Sequence, residues 1–288
     1  MCGKDSGEIV VLRISIISIK GLIRTVATTR NFWTAVIFSG NCKKKAIFFR
    51  DGSTFRLTWS QYWKVREIKQ AGYTILQISD DLFKIKDNTI TLVGSSDMLQ
   101  AVGEIDSGFY DWDYQGKVVL DIGGFQGESA VFFFKNGAKK IIIYEPVEIH
   151  QELIKQNILL NKVNAEIHGE GIGNHDCIET ISYQNADLGF RLDGIGQHKM
   201  QIKIRNLTDI IEKSHADIAK FNCEGAEKSI MSLDSVVLRK IDVYLIMAHS
   251  KQISEMIIAK FKQSGFELVR RNLQQSFICF KKKDINLN

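Results

Sequence analysis

Four short apolar runs, each leading into a helical pattern, constrain this chain more than anything else in it. They are "KVVLDIG", "KKIIIYE", "DIAKFN" and "DVYLIMAH". Runs this short and rich in β-branched residues suit strands covered on both faces, and their alternation with helices predicts a mostly parallel sheet. "GESAVFFFKNG" reads as a helix closed by Gly137. "VEIHQELIKQNILLNK" reads as a helix with apolar Ile149, Leu153, Ile154, Ile158 and Leu160. "AEKSIMSLDSVVLRK" and "KQISEMIIAKFKQSG" read as the helices after the last two runs, and "NAEIHGEGIG" as a further strand. "CIETISYQ" and "MQIKIRN" are extended segments around a glycine-containing loop. The tail "FELVRRNLQQSFICFKK" gives two antiparallel neighbours. The fold class expected is α/β: a doubly wound, Rossmann-like sheet ending in an antiparallel hairpin. In such sheets ligands sit at the carboxyl ends of the strands, near the switch point.

Ahead of residue 95 the rhythm differs. Residues 45–93 read as strand-like, with turns at Asp51-Gly52 and Asp87-Asn88. "SSDMLQAVGEI" then reads as a helix capped by Ser or Asp. The expected division is a small helical and β-rich extension over 1–94 and a main domain over 95–288. Residues 8–27 are rich in Ile and Val, and two readings stay open: a helix packed on the body, or a basic helix lying on anionic lipid.

Charge is also uneven along the chain. Residues 1–70 carry 13 Lys/Arg against 4 Asp/Glu, a net of +9, and residues 71–288 carry 25 against 29, a net of −4. That asymmetry points to an anionic partner for the front of the chain, an anionic membrane surface among them. The five cysteines form no C-x-x-C pair, which argues against a disulfide scaffold or zinc site. No apolar run is long enough to span a membrane. The expectation is a cytoplasmic protein with a peripheral membrane contact open at its basic end.

"VVLDIGGFQGESA" is a strand, a glycine turn and a helix start. Gly123 and Gly124 allow close backbone approach, and Gly127 lets helix and strand pack. Glu145 ends the next strand, about 20 residues on, the spacing at which a carboxylate accepts ribose hydroxyls. The only proline of the 288 residues, Pro146, follows it. Proline biases Glu145 toward extended backbone, and its fixed φ suits the first turn of the next helix. A dinucleotide fingerprint needs glycine at 122, where Ile122 stands, and Asp121 would repel a pyrophosphate. A carboxylate there suits a cofactor bearing an ammonium and a sulfonium, S-adenosylmethionine.

"ADIAKFNCEGAEKSIM" holds K-x-N-x-E-G-x-E and resembles the K-x-D-x-E-G-x-E motif of the FkbM-type methyltransferases. "GEIDSGFYDWDYQGKVVLDIGGFQGE", "IIYEP", "LLNKVNAEIHGEGIGN" and "IKIRNLTDII" follow that family's order, so the resemblance covers roughly residues 95–275. It implies an S-adenosylmethionine-dependent O-methyltransferase acting on a hydroxyl of a sugar, glycan or other small molecule. Carried over by position, Asp121, Gly123, Gly127 and Glu145 line the cofactor site. Glu104 and Tyr110 face the methionine end, and Glu170 and Ile172 lie near adenine. Asn222 replaces the family's Asp and is not assigned as a base.

An aliphatic hydroxyl needs a proton acceptor. His249 and Glu224, at strand ends, are the catalytic candidates, each weighed against a structural role. Lys220 is expected to snorkel or to pair with Glu224. Asn185 and Arg191, in a polar loop, are candidate substrate contacts. His175 and Asp176 lack a third ligand, so no metal is expected. Two alternatives stay open: an RNA methyltransferase, and a catalytically inactive cofactor-binding module. No specific nucleic acid is expected, for want of an aromatic-basic RNA motif.

Overall fold

The computed structural model describes residues 19–37, 43–183, 198–223, 225–272 and 277–283. The chain falls into two compact units, residues 1–70 and 71–288.

The first unit holds α1 (Ile19–Thr28), α2 (Phe32–Ile37), β1 (Lys45–Phe48), β2 (Thr54–Leu57) and α3 (Trp59–Gln70). β1 and β2 form the expected hairpin, with Gly52 at φ 90° in its turn. The strand-like reading of residues 45–93 fails at α3. The reason is a capping box: Thr58 Oγ1 accepts the Gln61 N–H at 3.2 Å, and Gln61 Oε1 accepts the Thr58 N–H at 2.9 Å. α1 makes residues 19–28 helical, as both readings of that segment expected. Residues 8–18 lie outside the described residues.

The second unit opens with the meander β3 (Thr74–Gln77), β4 (Leu82–Lys86) and β5 (Thr91–Ser95). Then come α4 (Ser96–Asp106), β6 (Val118–Ile122), α5 (Glu128–Lys135), β7 (Lys140–Tyr144) and α6 (Glu148–Asn161). β8 (Ala165–His168), β9 (Gly171–Gly173), β10 (Cys177–Tyr183) and β11 (His198–Asn206) follow, with α7 (Leu207–Ser214) and β12 (Ile218–Phe221). After a 3-10 helix (Ala226–Ser232), the chain ends in α8 (Ser235–Leu238), β13 (Val243–Met247), α9 (Lys251–Gln263), β14 (Phe266–Asn272) and β15 (Phe277–Lys282).

Seven strands form one sheet in the order β14-β15-β13-β12-β6-β7-β8. Only β15 runs against the others. This is the doubly wound sheet with a terminal antiparallel hairpin. β12 and nearly all of β13 are buried, as strands covered on both faces must be. The order reverses at β6, which has β7 on one side and β12 on the other, so the switch point lies between β6 and β12.

In the second unit three further readings change. The meander lies ahead of the boundary expected at residue 94, yet it packs as part of the second unit. α6 holds it: Asn157 bonds both the N–H and C=O of Val93, and Asn161 both those of Thr91. "NAEIHGEGIG" is two strands, because β8 stays in the main sheet while β9 joins β10 and β11 in a separate one. The single helix expected after β12 is broken, since Asp234 caps α8 by accepting the Val237 N–H at 2.8 Å. Among the described residues no helix is long and apolar enough to cross a membrane.

Candidate functional site

The floor of the site is a buried ion pair. Parallel pairing of β6 and β12 sets Asp121 opposite Lys220, with Lys220 Nζ 2.8 Å from Asp121 Oδ1. Ser129 Oγ donates to Asp121 Oδ2 at 2.6 Å. Burial alone would pull the Lys220 pKa down, but the Asp121 carboxylate overrides it and holds the ammonium above its ordinary value. Nζ also donates to the Gly123 carbonyl at 2.6 Å, so the pair shapes the glycine turn from below. Asp121 is therefore engaged inside the sheet and does not line the cavity above. Lys220 pairs with Asp121; Glu224, the partner expected for it from the sequence, lies outside the described residues.

Gly123 adopts φ 77°, and a Cβ there would lie 1.9 Å from the Asn222 carbonyl oxygen. Two strand ends meet so closely that only glycine fits. A Cβ on Gly124 would lie 2.3 Å from Ile143 Cγ2, and one on Gly127 3.2 Å from Ile154 Cα. Those two glycines serve packing against β7 and α6.

Glu145 follows β7 and is held by backbone. Its Oε2 accepts the Phe125 N–H at 3.0 Å and its Oε1 accepts the Val147 N–H at 3.0 Å, with His150 Nδ1 at 3.3 Å. Phe125 takes the left-handed conformation, φ 44°, to present that N–H. A carboxylate has about four acceptor sites, so these bonds fix its direction and leave capacity toward the cavity it lines. Pro146 comes one residue before the Val147 cap of α6, outside the first turn where the sequence reading set it. The Glu145 N–H makes the last ladder bond, to the His168 carbonyl, and Pro146 has none to continue it.

The cavity over these strand ends encloses about 930 Å³, open solvent at its mouth included. Glu104, Gly123, Glu145, Pro146, Glu170 and Ile172 line it, as does Asn222. Ile181 of β10 and Ile202 and Ile204 of β11 add an apolar wall. Tyr110 is buried beside it, edge-on to Phe133 and Phe277, and burial pushes its hydroxyl pKa up. Glu170 pairs with Arg205 at 3.1 Å.

His249 does not line the cavity. Its Nδ1 lies 3.2 Å from Glu227 Oε1, which also accepts the His249 N–H at 3.0 Å. Glu227 Oε2 accepts the Gly225 N–H at 2.7 Å. Burial would raise the Glu227 pKa, but these bonds from His249 lower it below the ordinary value. The first and last residues of K-x-N-x-E-G-x-E are thus inward struts. Asp176 accepts from Arg205 and from the Asn206 N–H. Asn185 and Arg191 lie outside the described residues.

Sequence reasoning passed over Phe125, Glu128 and His150. Their signal was position: Phe125 stands within the turn, Glu128 directly after Gly127, and His150 five residues past Glu145.

No family model matches the chain, and no curated protein matches it. Solved structures do. A Pyrococcus horikoshii protein described as an RNA methyltransferase is 16% identical, with 65% of this chain and 85% of that one covered, at a TM-score of 0.42. A Streptococcus mutans protein described as an S-adenosylmethionine-dependent methyltransferase is 12% identical, over 71% of this chain and 56% of that one, at 0.44. A precorrin-6Y C5,15-methyltransferase from Geobacter metallireducens is 12% identical, over 64% and 89%, at 0.39. Likenesses this distant carry no argument about cofactor or acceptor. The fold class rests on the strand order of this chain.

Proposed function

We propose that the chain binds S-adenosylmethionine in this cavity and passes its methyl group to a hydroxyl of a sugar, glycan or other small molecule, as an FkbM-type O-methyltransferase. The observation that carries the reading is Glu145: a buried carboxylate, aimed by two backbone N–H groups, one strand from a turn with no room for a side chain. A ribose needs both features, an acceptor for its hydroxyls and backbone close enough to touch.

When bound, the cofactor supplies a methyl group activated by a positively charged sulfur. The chain's residues position and shield. Glu145 would hold the ribose, Glu170 and Ile172 flank the base, and Glu104 faces the methionine end. Ile181, Ile202 and Ile204 keep water from one wall. Orientation of this kind supplies about 7–11 kcal/mol of a displacement barrier. His249, engaged by Glu227 and off the cavity lining, is not assigned as the proton acceptor.

Calorimetric titration with S-adenosylmethionine, followed by labelled-methyl transfer to a panel of sugars and glycans, tests the reading. Binding with transfer to a hydroxyl is expected, and absence of binding sinks it. Total RNA in the same assay tests the second reading, which the +9 charge of residues 1–70 favours.

A further inference from the structure

The cavity is lined by four glutamates, Glu104, Glu128, Glu145 and Glu170, and among the described residues by no Lys or Arg. Three of the four have evident engagements: Glu145 with backbone N–H groups, Glu170 with Arg205, and Glu104 with Gln100 at 3.4 Å. Glu128 differs. It stands in the first turn of α5, directly after the glycine turn, and is 5% exposed. Its carboxyl meets only backbone N–H groups, its own and that of Gln126 at 3.3 Å, and it forms no ion pair with a described residue. A carboxyl group buried so deeply without a cation is costly to ionise.

We propose that Glu128 is the counter-ion for the cationic end of the ligand, and that it gives up a proton to solvent as that cation enters. The inference rests on the cofactor reading above and adds a residue and a coupling to it. Asp121, the carboxylate the sequence sets opposite the cofactor's positive charge, is already neutralised by Lys220. Glu128 is the carboxylate that reaches the cavity from the same turn without a cation of its own. The balance is simple: the carboxylic acid loses H⁺ to buffer, and the carboxylate then faces an ammonium or sulfonium.

The surroundings of Glu128 set its empty-site state. Burial pushes its pKa up to about 8; Lys220 opposes this, and Asp121 adds to it. Tyr110 faces the same buried group, and Glu104 lies across the cavity on α4. At pH 7 the group is therefore mostly protonated before the ligand arrives.

The test titrates the full chain with S-adenosylmethionine, S-adenosylhomocysteine and adenosine at pH 7, in phosphate and in Tris buffer. Buffer-dependent heat should report ~0.9 proton released with S-adenosylmethionine, the protonated fraction for a pKa of about 8. Adenosine, the same nucleoside without a cation, should release none. Release with S-adenosylhomocysteine as well identifies the ammonium as the partner, and release with S-adenosylmethionine alone identifies the sulfonium. Glu128→Gln should abolish the release and keep adenosine affinity, which also shows that the variant folds. In the native chain, S-adenosylmethionine affinity should rise about ninefold from pH 6 to 7 as the cost of ionisation falls. S-adenosylmethionine binding with no release, or release unchanged in Glu128→Gln, overturns this inference alone. No S-adenosylmethionine binding at all overturns the cofactor reading beneath it.

Discussion

Asp121 and Glu145 end neighbouring strands, both buried and both acidic, and they do opposite work. Asp121 meets a lysine on β12 in register and is consumed by it. Glu145 meets only backbone N–H groups and a histidine, lines the cavity, and keeps acceptor capacity. The residue type is nearly the same, and the partner across the strand decides. A carboxylate paired with a buried cation is a strut, whereas one aimed by amides is a contact.

The largest expected effect breaks the strut. Lys220→Met leaves Asp121 ionised and alone, and should cost about 3–5 kcal/mol in chemical denaturation. Adding Asp121→Asn should restore most of that loss. A single variant losing under about 1 kcal/mol would make the two strand ends equivalent after all. Gly123→Ala comes next, since a positive φ and the Asn222 carbonyl both oppose a Cβ. It should cost about 3 kcal/mol and abolish cofactor binding, and a native titration curve would contradict the tight approach.

Glu128 sharpens the contrast through pH. Its folded pKa, about 8, lies above the ordinary 4.5, so the folded state holds a proton that the unfolded state has released. The stabilisation is full below pH 4.5 and is lost as pH rises toward 8. Relative to Glu128→Gln, the native chain should lose up to about 1.4 kcal/mol per pH unit between about pH 5 and 7. Denaturation at three pH values checks the slope, and parallel curves would refute it.

Glu145→Gln should leave stability within about 1 kcal/mol yet weaken S-adenosylmethionine about 10–100-fold, the worth of charge-assisted bonds to a ribose. The reverse pattern would make Glu145 a second strut. Pro146→Ala is the smallest change. It should cost about 0.5 kcal/mol of fold through the unfolded chain and a few-fold in affinity by loosening Glu145. An affinity equal to the native value would confine Pro146 to ending the β7–β8 ladder.

The sheet was legible because its strands are buried on both faces, which writes them as short continuous apolar runs. The glycine turn and Glu145 were legible because their spacing is local. What escaped depends on partners far apart in the chain. Nothing in "DIAKFN" says that Lys220 meets a residue 99 positions earlier, since only sheet register does. Nothing near His249 announces Glu227, 22 residues away. α3 escaped differently: its cap, T-x-x-Q over residues 58–61, was on the page, but aromatic and β-branched residues beside it outweighed the signal.

The two asparagines of α6 have a consequence for handling the protein. β5 is one of the two outer strands of its three-stranded sheet, and Asn157 and Asn161 answer its outward amides and carbonyls as a fourth strand would. A free strand edge is a template for other chains. The helix closes it without contributing a strand. Asn157→Ala or Asn161→Ala should therefore be felt in solubility: concentrated samples should form β-rich precipitate while activity at low concentration persists.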